Sequence, residues 1–336
     1  MNNLQKEKEY LPEIDVLKAI GIVLVVIGHS FPDASSDLGI SNVMGRMLYD
    51  IIYSFHMPAF VFASGIVSYK FYQSISLKKT AIKKRAIRLM IPYFVWAVIY
   101  IPFRIILANF SSESFVINQL WKVFLGNNPY SGLWFLYALF LISLLQIMLV
   151  DNDMKLTLIF ILSIIGSIVN DFVVISEPIR WIFAYSFYYF AGMIFRKYYI
   201  YLGEKFQKKI IQLLLILIFC FLFLIKIRLR ANDIYSFNVL PAIAGTLMTY
   251  SISCILKNNE ILKKMGAYSM DIYILSGPIL VALRIGLYRI LGMNYVIYTS
   301  IAIVLGCMLP VLISTLIIRK NCCLSLLLLG MIGMGA

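Results

Sequence analysis

Ile14-Asp15-Val16-Leu17-Lys18-Ala19-Ile20-Gly21-Ile22-Val23-Leu24-Val25-Val26-Ile27-Gly28-His29-Ser30-Phe31 is a nearly continuous apolar run carrying one carboxylate, one ammonium and one imidazole. It shows none of the period-two alternation that marks a membrane strand. Its length suits a membrane-crossing helix, which needs roughly 20 residues. Runs of the same kind recur near 47–69, 89–109, 132–150, 156–175, 179–195, 210–229, 239–256, 267–291 and 295–318. The expected architecture is therefore all-α: a polytopic membrane helix bundle of about ten spans. Composition agrees. The chain is 61% hydrophobic and 14% charged, with mean hydropathy +0.88, whereas soluble domains hold roughly 45–50% apolar and about 25% charged residues.

The 336 residues read as one membrane domain, with residues 1–13 as a cytoplasmic N-terminal segment and 324–336 as a short apolar tail, interfacial or frayed, too short to span. No small-residue cleavage site follows the charged start, so the first span is expected to be retained. The net charge of +14 is read as topology and contact with anionic lipid, not as nucleic-acid binding. With the N-terminus cytoplasmic, about two thirds of the 30 Lys and Arg residues fall on the inner side, which places both termini inside. Lys226, Arg228 and Arg230 fall outside in this scheme and are its weakest point. The five cysteines show no metal-ligand spacing with histidine, and no metal is expected.

Only two histidines occur, His29 and His56, so near-neutral proton chemistry has few other places to happen. A titratable side chain inside an apolar span is costly and is a functional candidate by default. Lys18 and His29 are 11 residues apart, which in a helix is about 20° past three full turns; they share a face, roughly 16 Å apart along the axis. Asp15 can pair with Lys18 as an i, i+3 neighbour, although the two can equally anchor an inner helix end with Lys18 snorkelling. His56 lies in Tyr53-Ser54-Phe55-His56-Met57-Pro58, where Pro58 removes a backbone donor and predicts a kink near residue 54. The basic loop around Lys78, Lys79, Lys83, Lys84, Arg85 and Arg88 is either positive-inside topology or a phosphate site, since arginine offers a planar fork to phosphate. Ser131-Gly132-Leu133-Trp134-Phe135-Leu136-Tyr137 opens the fourth span at the outer face. The loop before it, about 110–131, can cover an acceptor site, and Asp171 and Glu177 are the carboxylates nearest an outer cavity.

Together, Lys18-x10-His29, Ser54-Phe55-His56-Met57-Pro58 with Ser64-Gly65, Arg85-x-x-Arg88 before Pro92, and Leu133-Trp134-Phe135-Leu136 resemble the acyltransferase-3 family of integral membrane acyltransferases, most closely its fucose 4-O-acetylase-like branch. The resemblance implies an O-acetyltransferase of a bacterial-type cell membrane. Its donor would be acetyl-CoA, and its acceptor a hydroxyl of a cell-surface polysaccharide or the lipid-linked precursor. It implies catalytic roles for Lys18 and His29, to which position adds His56, and donor binding by Arg85 and Arg88, with Lys84 beside them. Asp15, Trp134 and Tyr137 are candidates for substrate contacts. Two departures stand out. Lys18 occupies a position usually held by arginine, and Ser276 stands where Gly266-Ala-Tyr-Ser269-Met-Asp-Ile-Tyr273 leads one to expect a third histidine. There is no room for a soluble SGNH-type domain.

In this scheme His29 acts as general base for the acceptor hydroxyl or as a transient acyl carrier. Lys18 faces the donor phosphates or stabilises developing negative charge, and His56 orients the acceptor or shuttles a proton. A transporter or flippase for a charged lipid or glycan would place the same residues in a basic-lined cavity but leave its substrate unmodified. A membrane scaffold would tolerate loss of either histidine.

Overall fold

Pro12–Ser30 forms α1, an unbroken helix with Pro12 in its first turn, where its missing N–H is no loss. The computed structural model describes residues 10–32, 40, 42–106, 117–170, 172, 176–229 and 235–331. Thirteen further α-helices follow: α2 Val43–Tyr53, α3 His56–Ser68, α4 Ile75–Ile106, α5 Trp134–Leu149, α6 Asp153–Val169, α7 Glu177–Lys197, α8 Tyr199–Phe206, α9 Lys209–Arg228, α10 Tyr235–Ile255, α11 Glu260–Ala267, α12 Ser269–Leu283, α13 Tyr295–Ile313 and α14 Cys322–Leu329. Helix α12 runs on as a π-helical stretch, Arg284–Ile290, and α13 as another, Ser314–Ile318. No strand occurs among the described residues.

Seven helical segments are long and apolar enough to cross a membrane: Val43–Ser68, Ile75–Phe103, Ser131–Leu149, Lys209–Arg228, Asn238–Ile255, Ser269–Ile290 and Tyr295–Ile318. Helices α1, α6 and α7 occupy the other three expected positions. Helix α1 carries Glu13, Asp15 and Lys18 near its start, α6 has 17 residues, and α7 is rich in Tyr and carries Glu177, Arg180, Arg196 and Lys197.

The expected kink is a true interruption. Helix α2 stops at Tyr53, residues 54 and 55 form a turn, and α3 restarts at His56 with Pro58 in its first turn. The tight bonds Ser54 N–H to Ile51 O and Phe55 N–H to Ile52 O close the end of α2. Two expectations are corrected. The basic loop of residues 78–88 is helix, because nothing between Ile75 and Ile91 breaks one and the Ser74 hydroxyl caps its start by accepting from Leu77 N–H at 3.2 Å. At 32 residues α4 is about 48 Å long, well beyond a hydrocarbon core of about 30 Å, so its basic first turns project past the apolar layer. The apolar tail is not frayed over Cys322–Leu329. Asn321 caps α14, Leu329 is buried, and Trp96 Nε1 donates to Leu328 O at 3.1 Å.

Before α5, residues 107–116 lie outside the described residues, while Val123, Asn128, Tyr130 and Leu133 are buried in the bundle. Asn128 Nδ2 donates to Tyr93 O at 2.9 Å, and the Tyr93 hydroxyl donates to Val123 O at 2.9 Å. The Tyr130 hydroxyl reaches Ile274 O at 3.1 Å, through space that exists because residue 277 is glycine.

Helix α3 packs more extensively on α7 than any other pair of elements does. A Cβ on Gly65 would lie 2.0 Å from Tyr189 O, and one on Gly192 would lie 2.2 Å from Phe62 O. Only glycine on both helices permits this backbone-to-backbone approach, which in a membrane replaces the missing hydrophobic drive between helices. Gly65→Ala is expected to destabilise the protein by about 1–3 kcal/mol, as overpacking does. It should lower the melting temperature in detergent, while Gly286→Ala, whose Cβ would meet nothing within 4 Å, melts at or above wild type.

Candidate active site

His29 is the penultimate residue of α1, Tyr53 the last of α2, His56 the first of α3 and Arg284 the first of the π-helical stretch after α12. Four element ends thus converge on one spot. The Tyr53 hydroxyl stands 3.4 Å from His29 Nε2, and the two rings meet edge-on at 6.2 Å. The other edge-on contact of Tyr53 is with His56, at 4.7 Å. Both predicted histidines therefore flank one tyrosine. Tyr53 can lie there because residue 28 is glycine: a Cβ would sit 2.7 Å from the Tyr53 ring. Tyr49, one turn earlier, stacks on it at 3.8 Å.

The two imidazoles differ in setting. His56 is buried and its Nδ1 lies 2.7 Å from Ile52 O. A carbonyl only accepts, so Nδ1 carries the hydrogen and the neutral ring keeps its lone pair on Nε2. His29 is exposed, as is Tyr53, but protein surrounds both closely, so the pair lines a cleft at the far end of α1. Arg284 Nη2 donates to the carbonyls of His29 at 3.0 Å and Phe31 at 3.4 Å. These belong to the last turn of α1, where helical partners are missing and a cation is favoured. Neither Tyr53 nor Arg284 was singled out from the sequence. Tyr53 stood beside a predicted break three residues before a histidine, which is a weak signal, and Arg284 carried none, being 255 residues from its partner.

The other predicted residues lie elsewhere. Lys18 pairs with Asp15 at 3.1 Å near the start of α1, where Gly266 of α11 touches the Asp15 backbone. The pairing expected of these two is present, but Asp15 is about 21 Å along the helix from His29. Arg85 donates to the Ser68 hydroxyl, tying α4 to the end of α3. Arg88 is exposed one turn on, with its backbone against Gly330 behind α14, and Lys84 is exposed beside them. Arg85 and Asp271 act electrostatically on Arg88. Trp134 packs on Trp181 and Tyr185 of α7, and the Tyr137 hydroxyl bonds Phe124 O at 2.8 Å. The face of α5 that looks toward α3 and α12 is instead that of Phe135, against Phe60 and Tyr273. Glu177 is exposed and pairs with Arg180, and Asp171 lies outside the described residues. Ser276, in the place of the expected third histidine, is buried on α12.

A bundle of long apolar helices, with titratable side chains gathered at one end and a basic helix projecting at the other, defines a multi-pass membrane protein. Residues 11–319 match the profile of the acyltransferase-3 family, an acyltransferase domain. The chain belongs to that family and is a membrane acyltransferase. No curated protein and no solved structure matches it significantly.

Asp271, buried at the basic end, holds Arg319 at 2.7 Å and accepts from Ser314 at 2.7 Å. Arg319 also lies over the Tyr268 ring at 3.9 Å. Removing one partner of such a buried pair costs about 3–5 kcal/mol, whereas replacing both with apolar groups is often neutral. Asp271→Leu is therefore expected to lower the melting temperature markedly, and Asp271→Leu with Arg319→Met to recover most of the loss.

Proposed function

We propose that this acyltransferase moves an acetyl group from acetyl-CoA to a hydroxyl of a cell-surface polysaccharide or its lipid-linked precursor. It does so in a bacterial-type cell membrane, through about ten spans with both termini in the cytoplasm. The observation that carries this reading is the separation of two sites on one bundle. His29 and His56 meet at Tyr53 at one end, while Arg85 and exposed Arg88 stand on α4 at the other.

CoA phosphates do not cross hydrocarbon cheaply. Arg88 and Lys84, with Arg85 held in place by Ser68, receive them from the cytoplasmic side, as planar forks and point charges suited to phosphate. Lys18, neutralised in part by Asp15, adds positive potential on the same side. The acyl arm then enters the bundle and presents its thioester at the depth of His29. His29, open to the surface, takes the proton of the acceptor hydroxyl. His56 offers a lone pair at Nε2 and orients that hydroxyl. The carbonyl-bound Nδ1 of His56 keeps the ring in this tautomer.

The test is a deletion strain complemented with wild-type or His29→Ala protein, with O-acyl signals of the envelope polysaccharide read by NMR. Loss of the base should cost about 10²–10⁴ in rate, so the signals should return with wild type and stay absent with His29→Ala. Full acylation by a normally expressed His29→Ala protein overturns the role of His29. Spectra that do not change on deletion overturn the acceptor class. Arg88→Ala should raise the KM for acetyl-CoA, and Arg88→Lys should restore it only in part, since lysine lacks the bidentate fork.

A further inference from the structure

A thioester attacked by a hydroxyl passes through an oxyanion, and a hydrogen bond aimed at that oxygen is a large part of acyl-transfer catalysis. Most side-chain donors around His29 are turned to backbone carbonyls. The Ser30 hydroxyl donates to Val26 O and the Ser54 hydroxyl to Ile51 O, each at 2.6 Å. His56 Nδ1 is directed at Ile52 O, and Arg284 Nη2 at the carbonyls of α1. The Tyr53 hydroxyl differs. Its neighbours are side chains, the hydrogen-bonded Tyr49 hydroxyl and His29 Nε2 at 3.4 Å, the latter longer than a good O–H hydrogen bond of about 2.7–2.8 Å, and the pair with His29 is exposed.

We propose that Tyr53 is a catalytic residue of the transfer, its hydroxyl donating the hydrogen bond that stabilises the oxyanion. The proposal rests on the reading of His29 as general base. The acceptor hydroxyl takes the place of the Tyr53 hydroxyl at His29 Nε2 and gives its proton there, and its oxygen bonds to the thioester carbon. The carbonyl π pair moves onto the carbonyl oxygen, which takes the Tyr53 O–H as donor. When that pair re-forms the carbonyl, the carbon–sulfur bond breaks. The thiolate leaves with its electrons and receives the proton held by His29, so the products are an ester and free CoA thiol. Tyr49 stacks on one face of the ring and the notch at Gly28 receives its edge, which preorganises the donor.

The experiment uses full-length protein in native membranes, radiolabelled acetyl-CoA, and the alkali-treated envelope polysaccharide of the deletion strain as acceptor. Tyr53→Phe keeps the ring, so the melting temperature should hold. Its kcat should fall about 10²–10³-fold with the KM for acetyl-CoA unchanged, as for loss of one oxyanion donor. Gly28→Ala, which pushes the ring aside, should show a loss of similar kind. A Tyr53→Phe enzyme within about threefold of wild type is far short of that loss and overturns the proposal. So does a variant whose defect lies in KM alone, or in a lowered melting temperature. An active wild type with active Tyr53→Phe defeats this proposal only. A wild type that acylates nothing defeats the proposed reaction together with it.

Discussion

The contact on which the rest of the molecule leans is the crossing of α3 and α7 at Gly65 and Gly192. Both helices present bare backbone there, so their axes approach to a distance that any side chain would forbid. Because lipid is as apolar as leucine, such packing is a main source of helix association in a membrane. Its consequence reaches both ends of α3. The first residue of that helix is His56, and its last, Ser68, receives Arg85 of α4. One close crossing thereby sets the depth of a histidine at one end and of an arginine at the other. Smaller versions repeat the device: Gly28 admits Tyr53, Gly245 admits Phe55 and Gly277 admits Tyr130.

A second constraint is the disposal of polar groups where water is scarce. Many of the serines and threonines bond a carbonyl three or four residues back in their own helix, as Ser64 does with Phe60, Ser143 with Phe140 and Thr249 with Gly245. These bonds satisfy the hydroxyl locally and say nothing about tertiary structure. The polar contacts that join distant segments are more telling. Tyr199 donates to buried Glu13, Arg319 and Ser314 meet at Asp271, Arg284 reaches α1, and Tyr53 faces His29. Two of these begin at π-helical stretches, at Arg284 and Ser314. A widened turn rotates the side chains that follow out of the ordinary helical register, and such turns are frequent at functional sites.

Much of the local structure was legible. Continuous apolar runs announced helices, Pro58 announced the break after Tyr53, and the i, i+3 spacing announced the Asp15–Lys18 pair. The unbroken α1 keeps Lys18 and His29 at helical spacing. The failures share a cause. A charge run with no breaker was read as a loop because charge signals exposure, yet Lys and Ala are good helix formers and exposure does not oppose a helix. The tail was allowed a frayed end, whereas α14 packs on α4. The rotation of α5, which no local pattern shows, sets Trp134 against α7 and Tyr137 against the segment before α5.

The sequence by itself determined the class of environment, the helical period, the break before His56 and the identity of two rare imidazoles. Each of these rests on interactions within a few residues: backbone bonds satisfied inside a helix, a missing proline N–H, the cost of a charge in hydrocarbon. Only the tertiary structure decided that both histidines flank Tyr53, that Arg284 holds the end of α1, and that Arg85 is tied to Ser68. Those meetings depend on how far helices approach and how each is rotated about its axis. Both are set by glycines on one helix answering side chains or backbone on another, a correspondence between distant residues that no local pattern records.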